Sequence, residues 1–128
     1  MPEPVRREYV ILHHVQADGH HWDLMLDLGE ALATWQLASD PAGLAPSESR
    51  EAIPARRIGD HRRDYLSYEG PVSRGRGNVT RVDKGAYDLV EQNPAGWIVR
   101  LEGALLKGQF HIASAGETGE SVFRRAGS

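Results

Sequence analysis

The 128-residue chain contains no cysteine. Disulfides, thiolate zinc sites and a cysteine nucleophile are therefore excluded, and a reducing, cytoplasmic setting is favoured. Long apolar runs are missing as well; none approaches the roughly 20 residues that a membrane helix needs. The N-terminal MPEPVRREYV lacks the apolar stretch of a secretory signal. There is no excess of positive charge. Lys and Arg total 15 against 18 Asp and Glu, a net charge of −3, so the total does not mark a general nucleic-acid binder. Lysine is scarce: only Lys84 and Lys107 are lysines, so 13 of the 15 cations are arginine. Arg56, Arg57, Arg62 and Arg63 cluster, as do Arg74, Arg76 and Arg81. The planar guanidinium fork matches phosphate, so these clusters offer a local anion-binding face. Compositional arginine bias on a solvated surface is the plainer reading of the same residues.

What is present reads mainly as β structure in one domain. Residues 8–15, EYVILHHV, form a β-branched run. Residues 21–28, HWDLMLDL, alternate strictly, with Trp22, Leu24, Leu26 and Leu28 on one face and His21, Asp23, Met25 and Asp27 on the other. With ALATWQLA at 31–38 they make a hairpin. Residues 39–63 carry three prolines and little periodicity, and read as a long loop with a helical turn near SESREA. Strands resume at 65–70, 78–83, 86–91, 96–103 and 108–114, separated by GPVSRGRG, DKG, QNPAG and LLKG. Many short strands at this spacing indicate a barrel or sandwich. The segment from Ala115 onward reads as a mobile tail in which Val122 and Phe123 could dock.

Chemistry concentrates in HHVQADGHHWD, residues 13–23, which holds four of the six histidines. His21 and Asp23 are i and i+2 on a strand and so project from one face. Either His13 or His14 can join them from the preceding strand. Two imidazoles and one carboxylate form a facial set with open positions, suited to Mn²⁺, Fe²⁺ or Zn²⁺. A His and an Asp that merely pair on a half-exposed strand are the plainer alternative. In GDHRRDY, His61 could contact a phosphoryl oxygen or protonate a leaving group. In SRGRGNVT, alternating Gly and Arg could expose backbone N–H groups to an anion, although a hairpin connection suffices and the spacing is not that of a P-loop. Trp22, Trp35 and Trp97 each sit in alternating strands and read as core.

Taken in order, the His before HWDLMLDL, then LATWQLASDP, DHRRDYLSYEGPV, GNVTRVDKGAYDL and LEGALLKGQFHI resemble the 3′-phosphoesterase domain of the bacterial ATP-dependent DNA ligase D family over about residues 8–114. The resemblance implies a compact β-barrel with short flanking helical or loop elements. It implies removal of a 3′-phosphate or terminal ribonucleotide from DNA ends, with Mn²⁺ as the preferred metal. It implies His14, His21 and Asp23 as metal ligands, His61 at the scissile phosphate and Tyr65 as a supporting group. The spacing from His14 to His21 is one residue longer than the family usually shows, which keeps His13 and His20 as alternatives.

Four positions depart from the family pattern. Met25 stands where the family has Arg, Ser39 and Asp40 where it has a Pro-Lys-Gly setting, Gly59 where it has an acid, and Ile53 near its upstream Arg. The metal half of the site is kept and the phosphate-clamping half is changed; Arg56, Arg57, Arg62 or Arg63 are the candidate replacements. Three readings follow. The first is a metal-dependent phosphoesterase on nucleic-acid 3′ ends, monomeric, acting alone or with end-joining or ligase proteins in trans. The second is a barrel that binds DNA ends or a repair partner through its metal cluster without turnover. The third is a barrel whose histidines are surface decoration.

Overall fold

The computed structural model describes residues 7–114 and 120–126. Nine strands form one antiparallel sheet: β1 (Arg7–Gln16), β2 (Gly19–Asp27), β3 (Leu32–Leu37), β4 (Ala52–His61), β5 (Gly70–Pro71), β6 (Asn78–Asn93), β7 (Gly96–Gly103), β8 (Lys107–Ser114) and β9 (Glu120–Arg125). The order β1-β2-β3-β4-β9-β8-β7-β6 closes on itself because β1 also pairs with β6, and β5 hangs on the outside of β6. The mainly β, barrel-like fold expected from sequence is therefore present as a ring of eight strands flanked by two 3₁₀ turns, Pro41–Leu44 and Arg63–Leu66. Among the described residues, no helix is long and apolar enough to cross a membrane.

Alternation sorts the side chains into two layers. Inside the ring, Tyr9, Ile11, Leu24, Leu26, Trp35, Leu37, Val99, Leu101, Phe110, Ile112 and Phe123 form the main core. Trp22 and Trp97 pack on its margin while Trp35 is fully within it. On the outer face, Val10, Leu12, Met25, Leu32 and Val79 form a second cluster covered by Leu66, Val72 and Tyr65 from the segment between β4 and β6. Both faces of β1 and β2 are thus buried along their middle, and only the hairpin end that carries the histidines remains open.

Several expectations are corrected. The stretch 39–63 is not one loop, since its second half is β4. Ile53 and Ala55 point into the core while Pro54 and Arg56 point out, an alternation that the prolines obscure. The helical turn lies at Pro41–Leu44 rather than near SESREA, because Asp40 accepts the Ala42 N–H at 2.9 Å and Pro41 occupies its first position. Residues 65–70 form the second half of a 3₁₀ turn and its exit rather than a strand. The strands expected at 78–83 and 86–91 are one 16-residue strand, β6. Its DKG signal fails as a turn because Asp83 is buried, accepting the Tyr9 hydroxyl and the Leu105 and Leu106 N–H groups. Gly85 there meets the Glu102 carbonyl so closely that a Cβ would not fit. The expected mobile tail is corrected over 120–125. This segment is β9, paired with β4 on one side and β8 on the other, with Phe123 fully buried. The Ala126 N–H then donates to the Gln109 carbonyl at 3.0 Å, and residues 115–119 and 127–128 lie outside the described residues.

Candidate metal centre

The β1–β2 register sets His14 opposite His21 and Leu12 opposite Asp23. Directly opposed residues project from the same face, so His14, His21 and Asp23 share the outer face at the open end of the hairpin. One ligand atom from each lies within 4.8 Å of the others, and among the described residues this is the cluster that could hold a metal. The alternatives are separated by the pleat. His13 and His20 fall on the opposite face, where His13 stacks on Trp22 at 4.6 Å and its Nε2 meets His20 Nδ1 at 2.8 Å. Burial, then the neighbouring His20, pushes the His13 imidazole below its ordinary pKa.

His14 Nε2 lies 2.6 Å from the Arg76 carbonyl oxygen. A carbonyl only accepts, so Nε2 carries a proton, and in the neutral ring Nδ1 keeps its lone pair. That Nδ1 faces Asp23 at 3.8 Å. A backbone carbonyl holding the far ring nitrogen is the usual orienting partner of a metal-ligating histidine. His21 Nε2 stands 3.1 Å from Asp23 Oδ1. The short contact with Asp23 raises the His21 pKa against the effect of partial burial. The contact is nevertheless off the line of a hydrogen bond, and Oδ1 of the buried Asp23 has no hydrogen-bond partner. A buried carboxylate oxygen without a donor costs about 1–3 kcal/mol or more. A divalent cation held between the two imidazoles and Oδ1 would remove that cost, so the residues present fit such an ion.

The loop that supplies the Arg76 carbonyl is the SRGRG segment. Arg76 Nε donates to the Ser73 carbonyl at 2.9 Å, and Val72 N–H to the Gly77 carbonyl at 2.7 Å. Gly77 has φ +86° and lies so close to the Val15 carbonyl that any Cβ would collide with it. The segment thus positions an imidazole. Alternating Gly and Arg mark it in the sequence, but only the β1–β6 register shows what it touches.

The remaining expected residues are distributed unevenly. His61 ends β4 opposite Leu32, which is itself opposite Asp27. It therefore shares the outer face with the triad but sits two strands across and four residues along from Asp23, on the order of 15 Å between backbones. The structure does not bring it into contact with the triad. His61 Nδ1 donates to the Gly59 carbonyl at 3.0 Å, and its ring stands edge-on to Tyr65 at 5.6 Å. Met25 lies between Asp23 and His61 as a buried apolar floor. Arg56 is opposite Gln36, and Gln36 is opposite Asp23, so Arg56 is in the triad's own cross-strand row. Arg57 faces the other way, with its guanidinium 4.6 Å above the Trp35 ring and 3.4 Å from Asp60. Arg63 is held by Asp27 through two bonds of 3.0 and 2.9 Å. Arg62 is exposed beside Tyr65. The Asp27–Arg63 pair was not singled out from sequence, since nothing in the spacing of two residues 36 positions apart signals it.

Comparison with known proteins completes the picture. No curated protein matches the chain. The sequence model of the DNA Ligase D 3′-phosphoesterase domain matches residues 12–114. That span holds β2 to β8, the second half of β1, the His14–His21–Asp23 cluster and the His61–Tyr65 turn. The chain belongs to the DNA ligase D 3′-phosphoesterase domain family.

Proposed function

We propose that this protein is a divalent-metal-dependent phosphoesterase that acts on nucleic-acid 3′ ends, removing a 3′-phosphate or a terminal ribonucleotide during DNA end repair. One observation carries the reading: the buried carboxylate of Asp23, whose Oδ1 accepts no hydrogen bond, clusters with two imidazoles, one of them already oriented by a backbone carbonyl. His14 Nδ1, His21 Nε2 and Asp23 Oδ1 would hold the ion. Two nitrogens, one hard oxygen and open positions suit Mn²⁺, with Fe²⁺ and Zn²⁺ as competitors. When bound, the ion supplies Lewis acidity to a phosphoryl oxygen.

The rest of the work belongs to the chain. His61, with Nδ1–H held by Gly59, presents Nε2 to the outer face, where its protonated form donates to the phosphoryl or leaving oxygen. Tyr65 fixes the plane of that ring from its edge. Arg56, in the row of Asp23, and Arg62, beside Tyr65, are the guanidinia free to meet phosphate charge. Arg57 and Arg63 are committed to Trp35 and Asp27. The test is phosphate release from a 3′-phosphorylated primer–template in Mn²⁺. The expected result is release by the parent chain and loss of at least 100-fold in His21→Ala. Equal release by both would refute the assignment.

A second reading is favoured by Met25. Its apolar side chain is buried in the outer cluster at the position where a guanidinium would otherwise stand over the site. On that reading the protein holds the metal and the 3′-phosphate end without cleaving it. The same assay separates the two, since metal-dependent binding without phosphate release supports only the second.

A further inference from the structure

A cavity of about 250 Å³ opens on the outer face between the Arg63–Leu66 turn and β5, walled by Arg62, Asp64, Tyr65, Tyr68, Pro71 and Val72. It is smaller than the roughly 300–1,000 Å³ of pockets for drug-sized ligands, which limits it to about one ring system. Its aromatic walls are fixed in advance. Tyr65 and Tyr68 stand edge-to-face at 5.8 Å and 89°. The Tyr68 hydroxyl donates to the Pro71 carbonyl, and the 3₁₀ turn beneath is closed by Tyr65 N–H to Arg62 and Ser67 N–H to Asp64. Tyr68 is nonetheless 37% exposed, one of the few large hydrophobic side chains among the described residues left open to solvent. A tyrosine whose hydroxyl is satisfied locally while its ring stays uncovered offers a ring face to a ligand.

The polar groups around the cavity narrow the ligand class. Arg62 has no ion-pair partner among the described residues, and Asp64 adds an acceptor at the rim. A planar heteroaromatic ring with N–H donors, attached to phosphate, satisfies all three features: ring on ring, N–H to carboxylate, phosphate to guanidinium. The location is consistent with this. Tyr65 forms one wall and touches His61 on its other side. Val72 forms another and packs in the same cluster as Val79, the cross-strand neighbour of His14. The cavity therefore borders the ground between His61 and the triad.

We infer that the Tyr65–Tyr68 cavity is a nucleobase subsite that takes the base of the terminal or penultimate nucleotide of the strand whose 3′ end is processed. The inference rests on the phosphoesterase reading and adds where that strand lies. Stacking accepts any base, so the subsite would fix strand placement without selecting sequence.

The test is a binding cycle read by fluorescence anisotropy. The ligand is a 3′-hydroxyl primer–template, a product that cannot turn over, made intact or with a single abasic residue at the terminal or the penultimate primer position. The parent chain is expected to lose about tenfold in affinity for one of the two abasic duplexes. Tyr68→Ala should bind the intact duplex about tenfold more weakly and show no further loss on the abasic one, whereas Tyr68→Phe keeps the parent's discrimination. If Tyr68→Ala does not fold, Tyr68→Leu replaces it in the cycle. An abasic penalty absent from the parent, or equal in the parent and the ring-less variant, overturns the subsite. Phosphate release by the parent, measured alongside, separates the two failures. Release without an abasic penalty removes the subsite alone, while neither binding nor release removes the phosphoesterase reading and the subsite together.

Discussion

At the scale of single residues, the proposed metal centre depends most on Asp23. A buried carboxylate oxygen that accepts no hydrogen bond and meets only the His21 ring nitrogen, at 3.1 Å, weakens the metal-free protein. Asp23→Asn is therefore expected to leave the melting temperature of the metal-free protein unchanged or higher. It should also abolish the rise that Mn²⁺ produces in the parent, because only a ligand that binds the folded state raises apparent stability. Thermal melts of both chains, with chelator and with Mn²⁺, check this; an Asn variant that is less stable without metal would make Asp23 a structural residue. Gly77 provides a more distant test of the same centre. A Cβ there would collide with the Val15 carbonyl and displace the Arg76 carbonyl that orients His14. Gly77→Ala is expected to weaken Mn²⁺ binding by about 10–100-fold, the usual penalty for disturbing an orienting partner, as measured by calorimetric titration. Of these residues, His21 and Asp23 were legible from period-2 spacing alone. The choice of His14 over His13 was not, because a hairpin's register is settled by its turn and both histidines are adjacent.

At the scale of elements, the Arg63–Leu66 turn must be held against β2 for His61 and Tyr65 to face the triad's side of the sheet. Arg63 provides that link by gripping Asp27 on β2. Burial alone would raise the Asp27 pKa, but the Arg63 guanidinium and the Gly29 N–H outweigh it and hold the carboxyl below its ordinary value of 3.8. A folded-state pKa depressed in this way contributes stability above the unfolded value and loses it as pH falls through the folded value. Arg63→Met is thus expected to be less stable than the parent at pH 7, with the gap shrinking as pH drops below about 4. Urea unfolding at neutral and acid pH measures the gap, and a gap that stays constant with pH would contradict the pairing. The sequence carried little sign of this turn. YLSYEG looks like a strand by composition, and the 3₁₀ turn forms because Tyr65 and Leu66 are needed to cover the outer cluster. Tertiary burial, not local propensity, decides the element.

At the scale of the molecule, the ring is what fixes the hairpin that carries the triad, and the ring is closed by two contacts distant in sequence: β1 with β6 and β9 with β4. The family match ends at residue 114, before β9 begins. A chain ended at Ser114 would leave β4 and β8 as unpaired edges and remove Phe123, which stacks on Phe110 at 5.6 Å in the core. Phe123→Ala is expected to cost about 3–5 kcal/mol in unfolding free energy, and the truncated chain to lose cooperative melting, both read by circular dichroism. A truncated chain that melts as the parent does would show that ring closure is dispensable. The barrel-like class was legible from alternation and turn spacing, but the strand count was not, since 65–70 is no strand, 78–91 is one strand instead of two, and β4 and β9 left little pattern. Pro54 interrupts the pattern of the first, and the second is a short run, ESVFRR, among polar and glycine residues that by itself carries no period.

The central claim is that His14, His21 and Asp23 hold one divalent cation. Anomalous diffraction from a crystal soaked in Mn²⁺ tests it most directly. A single manganese peak is expected, bounded by His14 Nδ1, His21 Nε2 and Asp23 Oδ1. A peak elsewhere on the chain, or none at saturating Mn²⁺, would contradict it.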